Sequence, residues 1–321
     1  MNNQIFRRIA APLVLAGGLI VIAGPALAGT CVPSKWGKDD ELGAANYVTP
    51  KQVMMAAELV KKGESHPLGI VIDMETPAFP PRGLSLQVVQ PNQQGGKRLP
   101  FGYEASYNDD VAHLWFGIGP QIDGLGHLGE GGMYYNCNDE KDFAAITGLT
   151  KMGVHNIPPM VGRGVVIDMA KHFKQDTLPA GMVISASDLQ AAMKAQSIDL
   201  RQGDVVLVHT GWTDGMLEKD PKAWGSGEPG LSNDAAVFLA SKNVMAVGAD
   251  TWGVEAVPNK KKGDKLFYGH VTLLKENGIY ILETMNTGRL ARENVKEFMF
   301  VLGQARIRGT VQMIINPVAL W

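Results

Sequence analysis

The sequence predicts one α/β domain, with strands and helices in mixed order. Val205-Val206-Leu207-Val208-His209 is a β-branched run between Gly203-Asp204 and Thr210-Gly211, the pattern of a central strand covered on both faces. Capped helical segments stand between it and similar apolar runs on either side. The 321 residues show no internal repeat and no linker between residues 36 and 319. At 45% hydrophobic and 19% charged, the chain has ample material for a single core.

Taken in order, the chain opens with Arg7-Arg8, an apolar run from Ile9 to Ile22, and Gly24-Pro25-Ala26-Leu27-Ala28. A basic start, an apolar stretch and an A-x-A site read as a signal peptide over residues 1–28, cut after Ala28. The run is shorter than the roughly 20 residues a membrane span needs, so no anchor is expected. The mature domain, 29–321, is then expected in the periplasm. Its 28 basic and 32 acidic residues give a net charge of −4. Such a balance argues against a nucleic-acid or anionic-membrane partner and for a small-molecule one. In an oxidising compartment its two cysteines, Cys31 and Cys137, are expected to pair.

Thr49-Pro50 starts a helix, with Thr49 as N-cap, Pro50 at the first position and an apolar face of Val53, Ala56, Ala57 and Val60. Lys61-Lys62-Gly63 closes it. His66 to Ile72 reads as a strand. From Pro77 to Tyr103 the chain is rich in Pro, Gly, Gln and Asn without periodicity, and reads as a loop near the substrate. A short helix is expected from Asp142 to Thr147, and a strand from Gly162 to Met169. Ser185 and Asp188 cap the next helix. Asn233–Lys242 is a further helix, followed by strands at Val244–Gly248 and Gly278–Glu283. Lys260-Lys261-Lys262 reads as a solvated loop, and Phe298 to Ala319 as two strands.

The chemistry concentrates in Phe116-Gly117-Ile118-Gly119-Pro120-Gln121-Ile122-Asp123-Gly124-Leu125-Gly126-His127. If Gln121 to Asp123 is extended, period 2 points both side chains to one face. The four glycines allow close backbone approach. An imidazole four residues beyond a carboxylate completes a candidate site.

An extended series of motifs resembles the cyclase family of metal-dependent hydrolases, which includes bacterial kynurenine formamidase and isatin hydrolase. The motifs are Trp36-Gly37, Asp40-Glu41-Leu42-Gly43, Asp123-x3-His127, Tyr135-Asn136 and Arg163-Gly164-Val165-Val166-Ile167-Asp168. They continue through Gly203 to Trp212, Glu228-Pro229-Gly230-Leu231, Gly248-Ala249-Asp250-Thr251-Trp252, His270, Glu283 and Asn316-Pro317-Val318-Ala319. The resemblance covers nearly the whole mature chain. It implies a swivelling β/β/α cyclase-like domain with a mixed sheet, usually in a homo-oligomer.

The family's pattern His-x3-His-x-Asp-x3-His falls here on Gly117, Gln121, Asp123 and His127, with a distant His and Glu on His270 and Glu283. Two of the family's ligand histidines are therefore replaced. What the resemblance implies is one divalent ion, Zn²⁺ or Mn²⁺, on Asp123, His270 and Glu283, with the Gln121 carbonyl oxygen as a further candidate ligand. His127 is implied as the proton-transferring base, with Glu283 as ligand or second base. His113 is a substitute for a lost ligand in a weaker reading, and His209, Trp212, Trp252 and Tyr135 are read as core or pocket wall. The activity implied is hydrolysis of a C–N or C–O bond in a small cyclic amide, lactone or related carbonyl compound. The alternatives are a metal-free binding protein and a lyase or dehydratase.

Overall fold

Nine strands form the central sheet of the computed structural model, which describes residues 31–321; the expected signal peptide, 1–28, lies outside the described residues. Across the sheet the order is Ser65–Pro67, Val318–Leu320, Glu297–Leu302, Met160–Asp168, Val205–His209, Ala246–Ala249, Tyr280–Glu283, Gln121–Asp123 and Gln312–Ile314. The middle four, from Met160–Asp168 to Tyr280–Glu283, are parallel, and antiparallel strands flank them on both sides. This is the expected mixed sheet. Val205, Val206, Leu207 and Val208 are each at most 1% exposed. Burial on that scale contributes on the order of 1.5–3 kcal/mol per side chain before conformational entropy is set against it.

Helices cover the sheet because their caps and apolar faces agree. Ser185 and Asp188 form a reciprocal capping box at the start of Ala186–Gln196, which buries Leu189, Ala192 and Met193. This helix packs on the Met160–Asp168 strand and on the Asn233–Ser241 helix. Thr49 caps the Pro50–Ala57 helix by accepting from Gln52 N at 3.3 Å, as expected, but the helix ends before Lys61.

Four other boundaries differ from expectation. The strand at His66–Ile72 shortens to Ser65–Pro67, which pairs with the C-terminal Val318–Leu320. The helix at 142–147 begins earlier, over Glu140–Phe143, because Asp139 caps it by accepting from Lys141 N. The C-terminal stretch holds three strands, not two. Within 77–103, Leu84–Val89 pairs with Asp109–Leu114 as an antiparallel hairpin, while the residues before it, Phe79 and Arg82, line a pocket.

Cys31 and Cys137 are bonded, with Cα atoms 4.8 Å apart. The bond secures an arm already latched by polar contacts. Asn136 Nδ2 donates to the carbonyls of Gly37, Lys38 and Asp40, and the Tyr135 hydroxyl donates to Asp40 Oδ2 at 2.5 Å. The bond closes a loop across 106 residues. Cys137→Ser should therefore lower the unfolding free energy by about 2–5 kcal/mol. Urea unfolding of the oxidised protein and the variant measures this, and equal midpoints would show that the bond does not restrict the unfolded chain.

Candidate active site

Strand register assembles the polar cluster. Gln121 lies opposite Glu283, and Asp123 lies opposite Gln312 on the other neighbouring strand. Directly opposed residues in antiparallel pairs share a face, as do residues two apart on one strand. Gln121, Asp123, Glu283 and Gln312 therefore converge on one side of the sheet. His127 arrives from the turn that follows, closed by its N–H donating to Gly124 O at 3.0 Å.

His270 comes from the other direction, at the end of the short Tyr268–His270 helix where it passes into the π-helical segment Val271–Glu276. Glu255 fixes it twice. The His270 backbone N–H donates to Glu255 Oε1 at 2.9 Å, and His270 Nδ1 lies 2.6 Å from Glu255 Oε2. Gly269 is required here, because a Cβ at that position would stand 2.5 Å from Glu255 Oε1. Glu255 thus fixes the ring with Nδ1 towards its carboxylate and Nε2 towards the cluster.

Nε2 faces two carboxyl groups. It lies 3.6 Å from Asp123 Oδ2 and 3.3 Å from Glu283 Oε1, and His127 Nε2 lies 3.9 Å from the same Asp123 oxygen. Donor atoms of Asp123, His127 and His270 all lie within 4.8 Å of one another. Asp123 is fully buried, its Oδ1 accepts from Gln121 Nε2 and Gln312 Nε2, and its Oδ2 has no hydrogen-bond partner. Ligands about 2.1 Å from a tetrahedral ion stand roughly 3.4 Å apart, near the 3.6 and 3.9 Å that separate the two imidazole nitrogens from Asp123 Oδ2. An orphaned carboxylate oxygen beside two imidazole nitrogens fits a divalent cation.

The sequence-expected roles are redistributed. Gln121 turns its amide nitrogen, not its oxygen, to the carboxylates, donating to Glu283 Oε2 at 2.5 Å and Asp123 Oδ1 at 3.2 Å. Asp123 Oδ1 and Glu283 Oε2 both accept from its Nε2, so Gln121 holds the two carboxyl groups in register. His127, expected as the base, stands in the three-residue donor cluster, while Glu283, expected as ligand, adjoins that cluster through His270. His113 lies on the exposed hairpin opposite Ser85, apart from the cluster. His209 contacts Thr287 Oγ1 at 2.8 Å and Asp250 at 3.4 Å in a separate pocket. Trp212 is core, Trp252 is pocket wall, and Tyr135 holds the N-terminal arm.

Sequence reasoning missed Glu255, Gln312, Arg82 and Phe79. No local signal marks them, since each reaches the site through a strand pairing or loop path. Glu228 stood in a quoted motif but without a role. It is fully buried, accepts from Trp252 N at 2.6 Å through Oε2, and leaves Oε1 unpartnered.

Electrostatics follow from this crowding of charge. Burial would raise Asp123, yet the His127 and His270 imidazoles overcome it and hold its carboxyl well below the usual range. Burial lowers His127; despite burial, the Glu255 carboxylate drives His270 well above the ordinary histidine value. Burial and then the Asp123 charge push Glu283 up to about 8, with His270 and Arg82 opposing. Burial and the Glu283 charge raise Glu228 in the same way.

Without bound metal, the folded chain therefore keeps a Glu283 proton that the unfolded chain releases near 4.5. The folded state binds more protons between these values, so stability falls as pH rises, by at most about 1.4 kcal/mol per unit from this group. Glu228 and His270, both raised, act in the same direction, while His127, lowered, opposes them below 6.5. Urea unfolding of chelator-treated protein should give a lower free energy near pH 8 than near pH 5.5. Equal or greater stability at the higher pH would contradict this arrangement of charges.

The cluster opens into a pocket of about 220 Å³ lined by Phe79, Arg82, His127, Trp252, Phe267 and Glu283, among others. Phe79 lies 5.9 Å from Trp252 and 6.3 Å from Phe267, ring to ring. The chain thus offers a cation-binding donor set at the floor and aromatic walls above it.

A family model for cyclases matches residues 65–256. A solved structure titled as a novel cyclase superposes with TM-score 0.80 at 28% identity, covering 90% of this chain and 98% of that one. Isatin hydrolase A from Labrenzia aggregata, bound to benzyl benzoate, gives TM-score 0.56 at 18% identity, covering 83% and 95% of the two chains. An isatin hydrolase bound to the product analogue thioisatinate gives 0.59 at 19%, covering 85% and 99%. The last two likenesses are of fold. A search of curated protein sequences finds no match.

Proposed function

The chain belongs to the cyclase family, and on that premise we propose that it is a metal-dependent hydrolase opening a C–N or C–O bond in a small cyclic amide, lactone or related carbonyl compound. The observation that carries this reading is the buried, unpartnered Oδ2 of Asp123 beside the imidazoles of His127 and His270.

Those three residues would hold one divalent ion, Zn²⁺ or Mn²⁺, since two nitrogens and a carboxylate oxygen suit either. Such an ion, when bound, polarises a carbonyl and acidifies water. The chain's own residues do the rest. Glu255 holds the His270 ring by Nδ1 and so presents Nε2. Gln121 and Gln312 occupy Asp123 Oδ1, which reserves Oδ2. Glu283 lines the pocket with its Oε1 3.3 Å from His270 Nε2, placed to pass a proton to a departing nitrogen or oxygen. Phe79, Trp252 and Phe267 exclude water around the scissile bond.

The same reading includes export: cleavage after Ala28, a periplasmic location and a homo-oligomeric state. The Cys31–Cys137 bond supports an oxidising compartment.

Elemental analysis of protein purified without chelator, paired with hydrolysis assays on a panel of cyclic amides and lactones, tests the proposal. About one divalent ion per chain and metal-restored turnover are expected. Less than about a tenth of an ion, with no rescue by Zn²⁺ or Mn²⁺, would instead favour a metal-free binding protein.

A further inference from the structure

We propose that Arg82 is the anion anchor of the substrate pocket, and that the pocket takes a flat, single-ring compound carrying a carboxylate. The inference rests on reading the Phe79–Trp252–Phe267 pocket as the substrate site, but not on hydrolysis.

Arg82 is seated by a local turn and by one distant contact. Its backbone N–H donates to Phe79 O at 3.0 Å, and its Nη1 donates to Gly117 O at 2.8 Å. The seat exists because residue 117 is glycine. A Cβ there would stand 2.6 Å from Arg82 Nη1 and 2.7 Å from Gln312 Oε1. The space a side chain at 117 would claim is thus given to a guanidinium.

The rest of the guanidinium is uncommitted. Among the described residues, no carboxylate lies within ion-pair distance of Arg82, and its Nε and Nη2 donate to no protein acceptor. Nε and Nη2 form one edge of the planar fork, the edge that receives a carboxylate through two parallel hydrogen bonds. Arg82 lines the pocket beside His127, His270 and Glu283, and its charge reaches both His127 and Glu283, opposing protonation of each. The buried carboxylates of the floor would repel an anion, and Arg82 is the fixed cation of the wall that receives one.

Shape completes the specification. The guanidinium carbon stands 6.0 Å from the centre of the Phe79 ring, beside the aromatic walls. A pocket of about 220 Å³ is small against the roughly 300–1,000 Å³ of drug-sized sites, so it suits one ring. The ring lies against Phe79, Trp252 and Phe267 while its carboxylate meets Arg82.

Calorimetric titration of the full chain with benzoate and with benzamide separates charge from shape, because the two differ little in size. Titrations are run on metal-loaded and chelator-treated protein, so that a metal ion cannot be the sole anion receptor. Benzoate is expected to bind at least about tenfold more tightly than benzamide in both preparations. Arg82→Gln should remove the preference, and Arg82→Lys should retain part of it, since it keeps the charge but loses the fork. Thermal melts establish that each variant is folded. His127→Ala, expected to lose hydrolysis, should keep the benzoate preference, so the loss of catalysis and the loss of anchoring are read separately. Equal binding of the two probes by the wild type, no binding of either at millimolar concentration, or a preference surviving in Arg82→Gln overturns the assignment.

Discussion

Asp123→Asn is expected to reduce kcat by on the order of a thousandfold or more and to strip the bound ion, with the fold intact. Asparagine keeps the shape of the side chain and an Oδ1 that can still accept from Gln121 and Gln312. What it removes is the charge at Oδ2, the oxygen that faces both His127 and His270. An amide nitrogen in that place repels a cation and cannot ligate it. Turnover on the substrate found by the hydrolysis panel, the metal content and the thermal midpoint should be measured together. Wild-type turnover in this variant would remove Asp123 from the site.

His127→Ala carries the second-largest expected effect, a loss of about a hundred- to ten-thousandfold in kcat. The donor distances place its imidazole in the cation-binding cluster, so metal affinity should fall along with turnover. The two readouts distinguish its roles. A variant that retains one ion per chain but has lost turnover would return His127 to the role of proton-transferring base. Because His127 is the most solvent-exposed member of the cluster, its truncation should cost little stability. Unchanged kcat is the result that would sink the assignment.

Much of this site is legible in the linear chain. Asp123 and His127 are four residues apart in one glycine-rich stretch, and their pairing needs only a short strand followed by a turn. His270 and Glu283 are identified by resemblance and do reach the same cluster. Gln121 is identified as present, but its function is set by its neighbours. An amide can offer oxygen or nitrogen, and the choice depends on which groups surround it. Two carboxylates do, one contributed by its own strand and one by the strand opposite, so nitrogen wins.

The fold shows the same division. Caps and β-branched runs are local signals, and the helices at Pro50 and Ala186 and the strand at Val205 begin where those signals place them. The hairpin Leu84–Val89 with Asp109–Leu114 has no such signal. Its strands pair across a segment rich in Gly, Gln and Asn, and most of their side chains remain exposed, so no core-facing alternation marks them.

His270 and Glu283 come from the family resemblance; the sequence by itself determined the α/β class, the central strand, the capped helices and the candidacy of Asp123 and His127. These follow from propensity, capping and spacing, which act over a few residues. Only the tertiary structure decided which groups each residue meets. Register set Gln121 between two carboxyl groups, the Glu255 contact set the orientation of the His270 ring, and the absence of a side chain at Gly117 left room for Arg82. Charge, burial and hydrogen-bond direction are properties of neighbours in space, and strand pairing, turns and loops together bring those neighbours into contact.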